Sequence, residues 1–141
     1  MRRVLLIALL AGLALPLEAA GRARVPRLAD CGRATVEPPT FVVTCADAGF
    51  TFSNLSWSSW RWAGARAHGV AWRNRCVPNC AAGHFVHWAV VVRAYRPHFC
   101  RRYDRVLFTR VAWRSVGSVP AEFRRSGASG TARVPFLHYC A

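Results

Sequence analysis

Six cysteines constrain this chain more than any other feature. They are Cys31, Cys45, Cys76, Cys80, Cys100 and Cys140 in a chain of 141 residues. An even count of cysteines in an exported chain reads as a disulfide framework, here of three bridges. Six thiols allow 15 pairings on paper. The expected set follows sequence order: Cys31 with Cys45, Cys76 with Cys80, and Cys100 with Cys140. Only the last closes a long loop, which the chain-entropy model values at about 4 kcal/mol.

The disulfide reading depends on export, and the N-terminus supplies the signal for it. Arg2 and Arg3 precede an uncharged apolar run from Val4 to Leu17 that contains Pro16. That run is shorter than the roughly 20 residues needed to cross a hydrocarbon core, so it reads as a cleaved signal peptide rather than an anchor. Small residues at Ala19, Gly21 and Ala23 predict a mature chain that starts between Arg22 and Arg24. The expected organisation is a signal peptide over 1–21, an extended lead-in over 22–39 and a single disulfide-stapled domain over 40–141. The expected location is secreted or cell-envelope, with no stable membrane anchor after cleavage.

The chain has 20 basic residues, all arginine, against 6 acidic ones, for a formal net charge of +14. Arginine to the exclusion of lysine is what a GC-rich coding sequence produces and carries no functional message. The scarcity of acids is different. Once Glu18 leaves with the signal, Asp30, Glu37, Asp47, Asp104 and Glu122 remain. A field of this size favours anionic partners such as nucleic acid, a cell-wall polymer or an acidic glycan.

No stretch after the signal keeps a 3.6-residue apolar period, whereas short β-branched and aromatic runs recur between turn residues. Phe41 to Cys45 reads as a strand, with Ala46 to Gly49 as the turn after it. Phe50 to Phe52 and Asn54 to Trp62 continue in the same style; simple alternation puts Leu55 and Trp57 on one face and Trp60 and Trp62 on the other. In Gly64 to Asn74, His68, Val70 and Trp72 share a face. Cys76 to His84 packs Pro78, Asn79, Gly83 and two cysteines into a tight connection. Val86 to Ala94 alternates most clearly. Tyr103 to Arg114 follows, with Leu107, Val111 and Trp113 on one side and Arg110, Ala112 and Arg114 on the other. Ser115 to Thr131 reads as a long loop, and Val134 to Tyr139 as a last strand pinned by Cys140. Six or seven short strands make an all-β fold, a small antiparallel sandwich or barrel.

Four segments carry a resemblance: Asn54-Leu55-Ser56-Trp57-Ser58-Ser59-Trp60, Cys76-Val77-Pro78-Asn79-Cys80-Ala81-Ala82-Gly83-His84-Phe85, Arg96-Pro97 with Cys100, and Phe108-Thr109-Arg110. Over roughly Cys31 to Trp113 the chain resembles an uncharacterised family of small secreted proteins from high-GC, actinomycete-type bacteria. The resemblance implies a secreted β-rich domain with an early cysteine pair and a tight second pair. It brings no catalytic residues. This chain has Trp88-Ala89 where that pattern has a Tyr-Pro pair.

Cys76, Cys80, His84 and His87 are spaced somewhat like zinc ligands. A classical finger needs about twelve residues between its Cys and His pairs, and far fewer stand here. On a strand, His84 and His87 would also point to opposite faces. A structural disulfide is the better reading, and no metal or cofactor is expected. No nucleophile elbow, phosphate loop or metalloprotease helix is present, so no catalytic residues are assigned. Asp104, among Arg101, Arg102 and Arg105, reads as a salt-bridging group. The better lead is tryptophan interleaved with arginine, which can stack rings and clamp anions. The candidate ligand-binding residues are Trp60, Arg61, Trp62, Arg73, Arg75, Arg124 and Arg125. The expected function is non-catalytic binding of an anionic polymer or surface; the alternative is a small secreted hydrolase or enzyme inhibitor.

Overall fold

A computed structural model describes residues 25–135 and Cys140. Eight strands lie in them: β1 (Leu28–Asp30), β2 (Arg33–Thr35), β3 (Phe41–Val42), β4 (Phe50–Arg61), β5 (Gly64–Asn74), β6 (Phe85–Cys100), β7 (Arg105–Ser115) and β8 (Ser129–Arg133). The last six form one antiparallel meander in sequence order, and β1 pairs with β2 as a separate hairpin. The fold is all-β, a curled six-stranded sheet with a two-stranded companion.

Alternation decides which face of the meander is buried. One inward row runs Trp60, Ala65, Ala94, Val111 and Ala132 across five strands. The alanines matter here, because small side chains on β5 and β6 let the sheet curl tightly around the larger Phe41, Phe50, Phe52, Leu55, Trp88 and Phe108. Ring packing fills the space: Phe50 lies edge-on to Phe52 at 5.1 Å and to Trp113 at 5.2 Å, and stacks on Trp88 at 6.5 Å.

Simple alternation fails at three places. In β4 the pairing with β5 shifts between Ser53 and Ser56 and again between Trp57 and Ser59. The first shift occurs at Asn54, whose φ of 52° is the left-handed backbone of a bulge. Each bulge reverses the faces of the residues that follow it, so Leu55 and Trp57 turn inward to join Phe50, Phe52 and Trp60. Trp57 and Trp60, expected on opposite faces, therefore meet edge-to-face at 4.6 Å, and Trp60 packs on Phe108 at 5.5 Å. The third place is Arg96 opposite Thr109, where ladder pairing is interrupted and Arg96 has a φ of 56°. Beyond it Phe108 rather than Leu107 enters the main core. Leu107 packs instead against Cys100 and Cys140.

The lead-in belongs to the fold. It is extended, as its prolines require, but folds back as the β1–β2 hairpin and contributes the fully buried Leu28. Trp57 Nε1 donates to the Pro38 carbonyl and Trp60 Nε1 to the Pro26 carbonyl, each at 2.8 Å. Leu55 N donates to Pro39 O, while Arg27 exchanges backbone bonds with Val106 and Phe108. The segment thus spans from β4 to β7.

Several boundaries differ from expectation. Only Phe41–Val42 of the first expected strand pairs, and β6 runs on to Cys100. Pro97 is accommodated in it because β5 stops opposite Tyr95, leaving β6 paired on one side only. Tyr103 belongs to a single 3-10 turn, Arg101–Tyr103, before β7. The expected loop from Ser115 contains a second turn, Ala121–Phe123, and most of β8. Val134 is buried outside any strand, and residues 136–139 of the expected last strand lie outside the described residues.

Three disulfides join Cys31 to Cys45, Cys76 to Cys80, and Cys100 to Cys140. Three bridges in a chain of this size belong to an oxidising, extracytoplasmic-type environment.

Candidate functional site

The solvent-facing side of the curled sheet gathers arginines in successive cross-strand rows. Residues directly opposite one another in an antiparallel ladder point to the same face. One row runs Arg61, Gly64, Tyr95, Arg110 and Arg133 from β4 to β8. The next runs Ser59, Arg66, Arg93, Ala112 and Thr131, and a third contains His68, Val91, Arg114 and Ser129. Strands stand roughly 4.8 Å apart and rows roughly 6.8 Å apart along them, so the six arginines leave the backbone within about 20 Å of one another, measured along the sheet. Arg61, Arg66, Arg93, Arg114 and Arg133 are exposed and Arg110 half-exposed.

Two pairs in this patch place like charges directly opposite, Arg66 with Arg93 and Arg110 with Arg133. Such pairs destabilise a sheet. None of the described acids, Asp30, Glu37, Asp47, Asp104 and Glu122, falls in these rows to offset them. Arg93 lies with its Cζ 5.5 Å from the Tyr95 ring centroid. Ser59, Arg61, Ala63, Gly64, Ala65, Arg66 and Arg93 line a shallow cleft of about 300 Å³ at the β4–β5 end. Gly64 forms part of its lining: a Cβ there would stand 3.0 Å from the Ala94 carbonyl oxygen and within 4 Å of Arg93 Nε.

The residues singled out in the sequence divide into three groups. Arg61 lines the cleft, and Trp62, 56% exposed, is the next residue in the β4–β5 turn. Trp60 packs inward, and its indole nitrogen is held by Pro26, so it holds the fold together. Arg73 and Arg75 belong to the opposite end of β5. Arg73 sits over the rings of Phe50 (5.2 Å) and Phe123 (4.8 Å) and donates to the carbonyl and hydroxyl oxygens of Ser126. Arg75 pairs with Glu122 at 2.7 Å. Both fasten the segment between β7 and β8 across the open end of the core, where Phe123 stacks on Trp88 at 5.9 Å and Trp113 Nε1 donates to Gly127 O. Arg124 and Arg125 are exposed on that segment, away from the cleft. Sequence reasoning missed Arg66, Arg93, Arg110 and Arg133 as a set. Their common face follows only from the register of four strands.

Other chemistry finds less support. Cys76 and Cys80 are joined to each other, which removes both sulfurs as metal ligands, and His84 and His87 are exposed. His87 lies instead against Trp72, ring centroids 4.7 Å apart. Asp30, Cys31 and Cys45 also cluster, but both thiols are again consumed in a disulfide. Asp30 accepts a hydrogen bond from Val42 N, tying β1 to β3; partial burial raises its carboxyl above the ordinary carboxylate value against the opposing effect of that bond. The exposed Asp47 carboxyl is lowered, chiefly by the hydrogen bond from Gly49 N.

A second, smaller cleft of about 120 Å³ lies between the hairpin and β7, lined by Ala29, Arg33, Ala34, Tyr103, Arg105 and Leu107 among others. No family model matches this chain, and no curated protein or solved structure gives a significant match.

Proposed function

We propose that this chain is an exported, non-catalytic binding domain for an anionic polymer, held at the solvent-facing arginine rows of the sheet. A cleaved signal over 1–21 and a secreted or cell-envelope location are part of the reading. One observation carries it: like charges stand directly opposite each other twice in the same face, with no carboxylate of the described residues among them. A sheet with no anionic partner gains nothing from that arrangement, whereas a polyanion laid across β5–β8 converts the repulsion into attraction. The alternative reading, a small secreted hydrolase or enzyme inhibitor, lacks a comparable feature.

The test is retention of the oxidised protein on immobilised heparin, DNA and a polycarboxylate as salt is raised. Affinity should fall steeply and log-linearly with salt, because each ion contact releases counterions. The double variant Arg110→Gln/Arg133→Gln should elute at lower salt, while Arg124→Gln/Arg125→Gln should change elution less. Retention on none of these polymers at low salt, or an equal loss in both double variants, would defeat the reading.

A further inference from the structure

We infer that the cleft of Arg61, Arg66 and Arg93 is a seat for a phosphomonoester, the terminal phosphate of an anionic chain that continues over the arginine rows. The inference rests on the polymer-binding reading and adds to it the chemical class and place of one group. Three neighbouring strands each send one arginine to the cleft: Arg61 from β4, Arg66 from β5 and Arg93 from β6. The side chains of Arg66 and Arg93 start from directly opposed positions, whose Cβ atoms in such a ladder lie about 5 Å apart. A single ligand can therefore be gripped by both.

The number and the charge of these groups select the ligand. A carboxylate or a phosphodiester offers two charged oxygens and one negative charge. A phosphomonoester offers three oxygens and nearly two charges at neutral pH, and so can accept from three guanidinium forks. No carboxylate shares the cleft among the described residues, and glycine at position 64 keeps a side chain out of its wall. The cleft also lies where the sheet has an end: β3 covers β4 only at Thr51 and Phe52, so among the described residues no strand continues the sheet beyond Ser59–Arg61. In the other direction the row continues through Tyr95 to Arg110 and Arg133, which would take the following charges of the chain. Trp62, exposed beside Arg61 in sequence, offers a ring face for the first sugar or base.

The experiment compares a short single-stranded oligonucleotide carrying a 5′-phosphate with the same oligonucleotide ending in a 5′-hydroxyl, by fluorescence anisotropy on the full oxidised chain. A glycerol-phosphate oligomer with and without its terminal phosphate forms a second arm and separates a nucleic-acid source from a wall-polymer source. The phosphorylated end should bind about tenfold tighter in at least one arm. Arg66→Gln and Arg93→Gln should each bring that ratio close to one while leaving binding of the hydroxyl form measurable. Arg110→Gln/Arg133→Gln should weaken both forms and preserve the ratio. Equal binding of both forms by the unaltered protein, or a ratio that survives Arg66→Gln and Arg93→Gln, overturns the phosphomonoester seat and leaves polymer binding standing. Absence of binding to every probe at low salt overturns both.

Discussion

Arg66 and Arg73 lie on one strand, β5, and are used in opposite ways. Arg73 faces inward at the far end, over the rings of Phe50 and Phe123, with its guanidinium donating to Ser126. Arg66 faces solvent at the near end, opposite another arginine. The first arginine is satisfied by the protein itself. The second is left with its charge directed at whatever arrives from outside. Net charge says nothing about this division, because both residues count equally toward +14. Register separates them: odd and even positions of a strand belong to different faces.

The largest effect should come from the buried side. Trp60→Ala removes ring contacts to Trp57 and Phe108 and the bond to Pro26, and should cost about 3–5 kcal/mol in denaturant unfolding. Trp62→Ala, in the exposed turn two residues on, should change stability by less than about 0.5 kcal/mol. A Trp62 effect as large as that of Trp60 would erase the distinction between the faces.

Next in size is the pair of arginines. Arg73→Ala should cost about 1–2 kcal/mol and make the segment between β7 and β8 more sensitive to limited proteolysis, because it removes two ring contacts and the hold on Ser126. Arg66→Ala should cost nothing, or stabilise slightly at low ionic strength, with the gain disappearing as salt screens its repulsion from Arg93. Equal losses from both would mean that Arg66 also has a partner within the fold.

Tryptophans divide as well. Trp88 is 4% exposed, and its Nε1 has no hydrogen-bond partner among the described residues. A buried donor left unmade is costly, so Trp88→Phe should be tolerated within about 1 kcal/mol. Trp60→Phe strands the Pro26 carbonyl and should cost about 1 kcal/mol more than Trp88→Phe, measured by the same unfolding assay.

The smallest effect is at Asp30. Burial raises its carboxyl, so the folded state favours the protonated form. Its contribution is best at low pH and is lost as pH rises through the ordinary carboxylate range to the raised folded value. Asp30→Asn keeps an acceptor for Val42 N and should flatten stability over that range, as a series of unfolding midpoints between about pH 3 and pH 6 would show.

The strands and the tight Cys76–Cys80 connection were legible in the sequence because turn residues and alternation are local signals. The disulfide pairing in sequence order agrees with the structure. What alternation could not reveal was where it breaks. Asn54 and Arg96 carry the left-handed backbone at two of the three reversals, yet neither is a glycine that would have announced it. The arginine rows were hidden for a related reason: Arg66, Arg93, Arg110 and Arg133 are far apart in sequence and meet only through strand register. Arg73 and Arg75 looked like their equals because adjacency to tryptophan does not report the direction of a side chain.

The two bulges of β4 have a consequence for how this strand tolerates change in length. Each reverses the order of the faces, so the pair cancels, and only the stretch holding Leu55 and Trp57 is inverted relative to the rest. Deletion of the extra residue at a bulge straightens the ladder and leaves the residues beyond it on the faces they already hold, because the lost residue and the lost reversal offset each other. A deletion in the regular stretches on either side removes no reversal, and so turns the residues beyond it to the other face, putting Trp60, or Phe50 and Phe52, out of the core. Single-residue changes in length are therefore absorbed at Asn54 and Ser58 and disruptive elsewhere in β4.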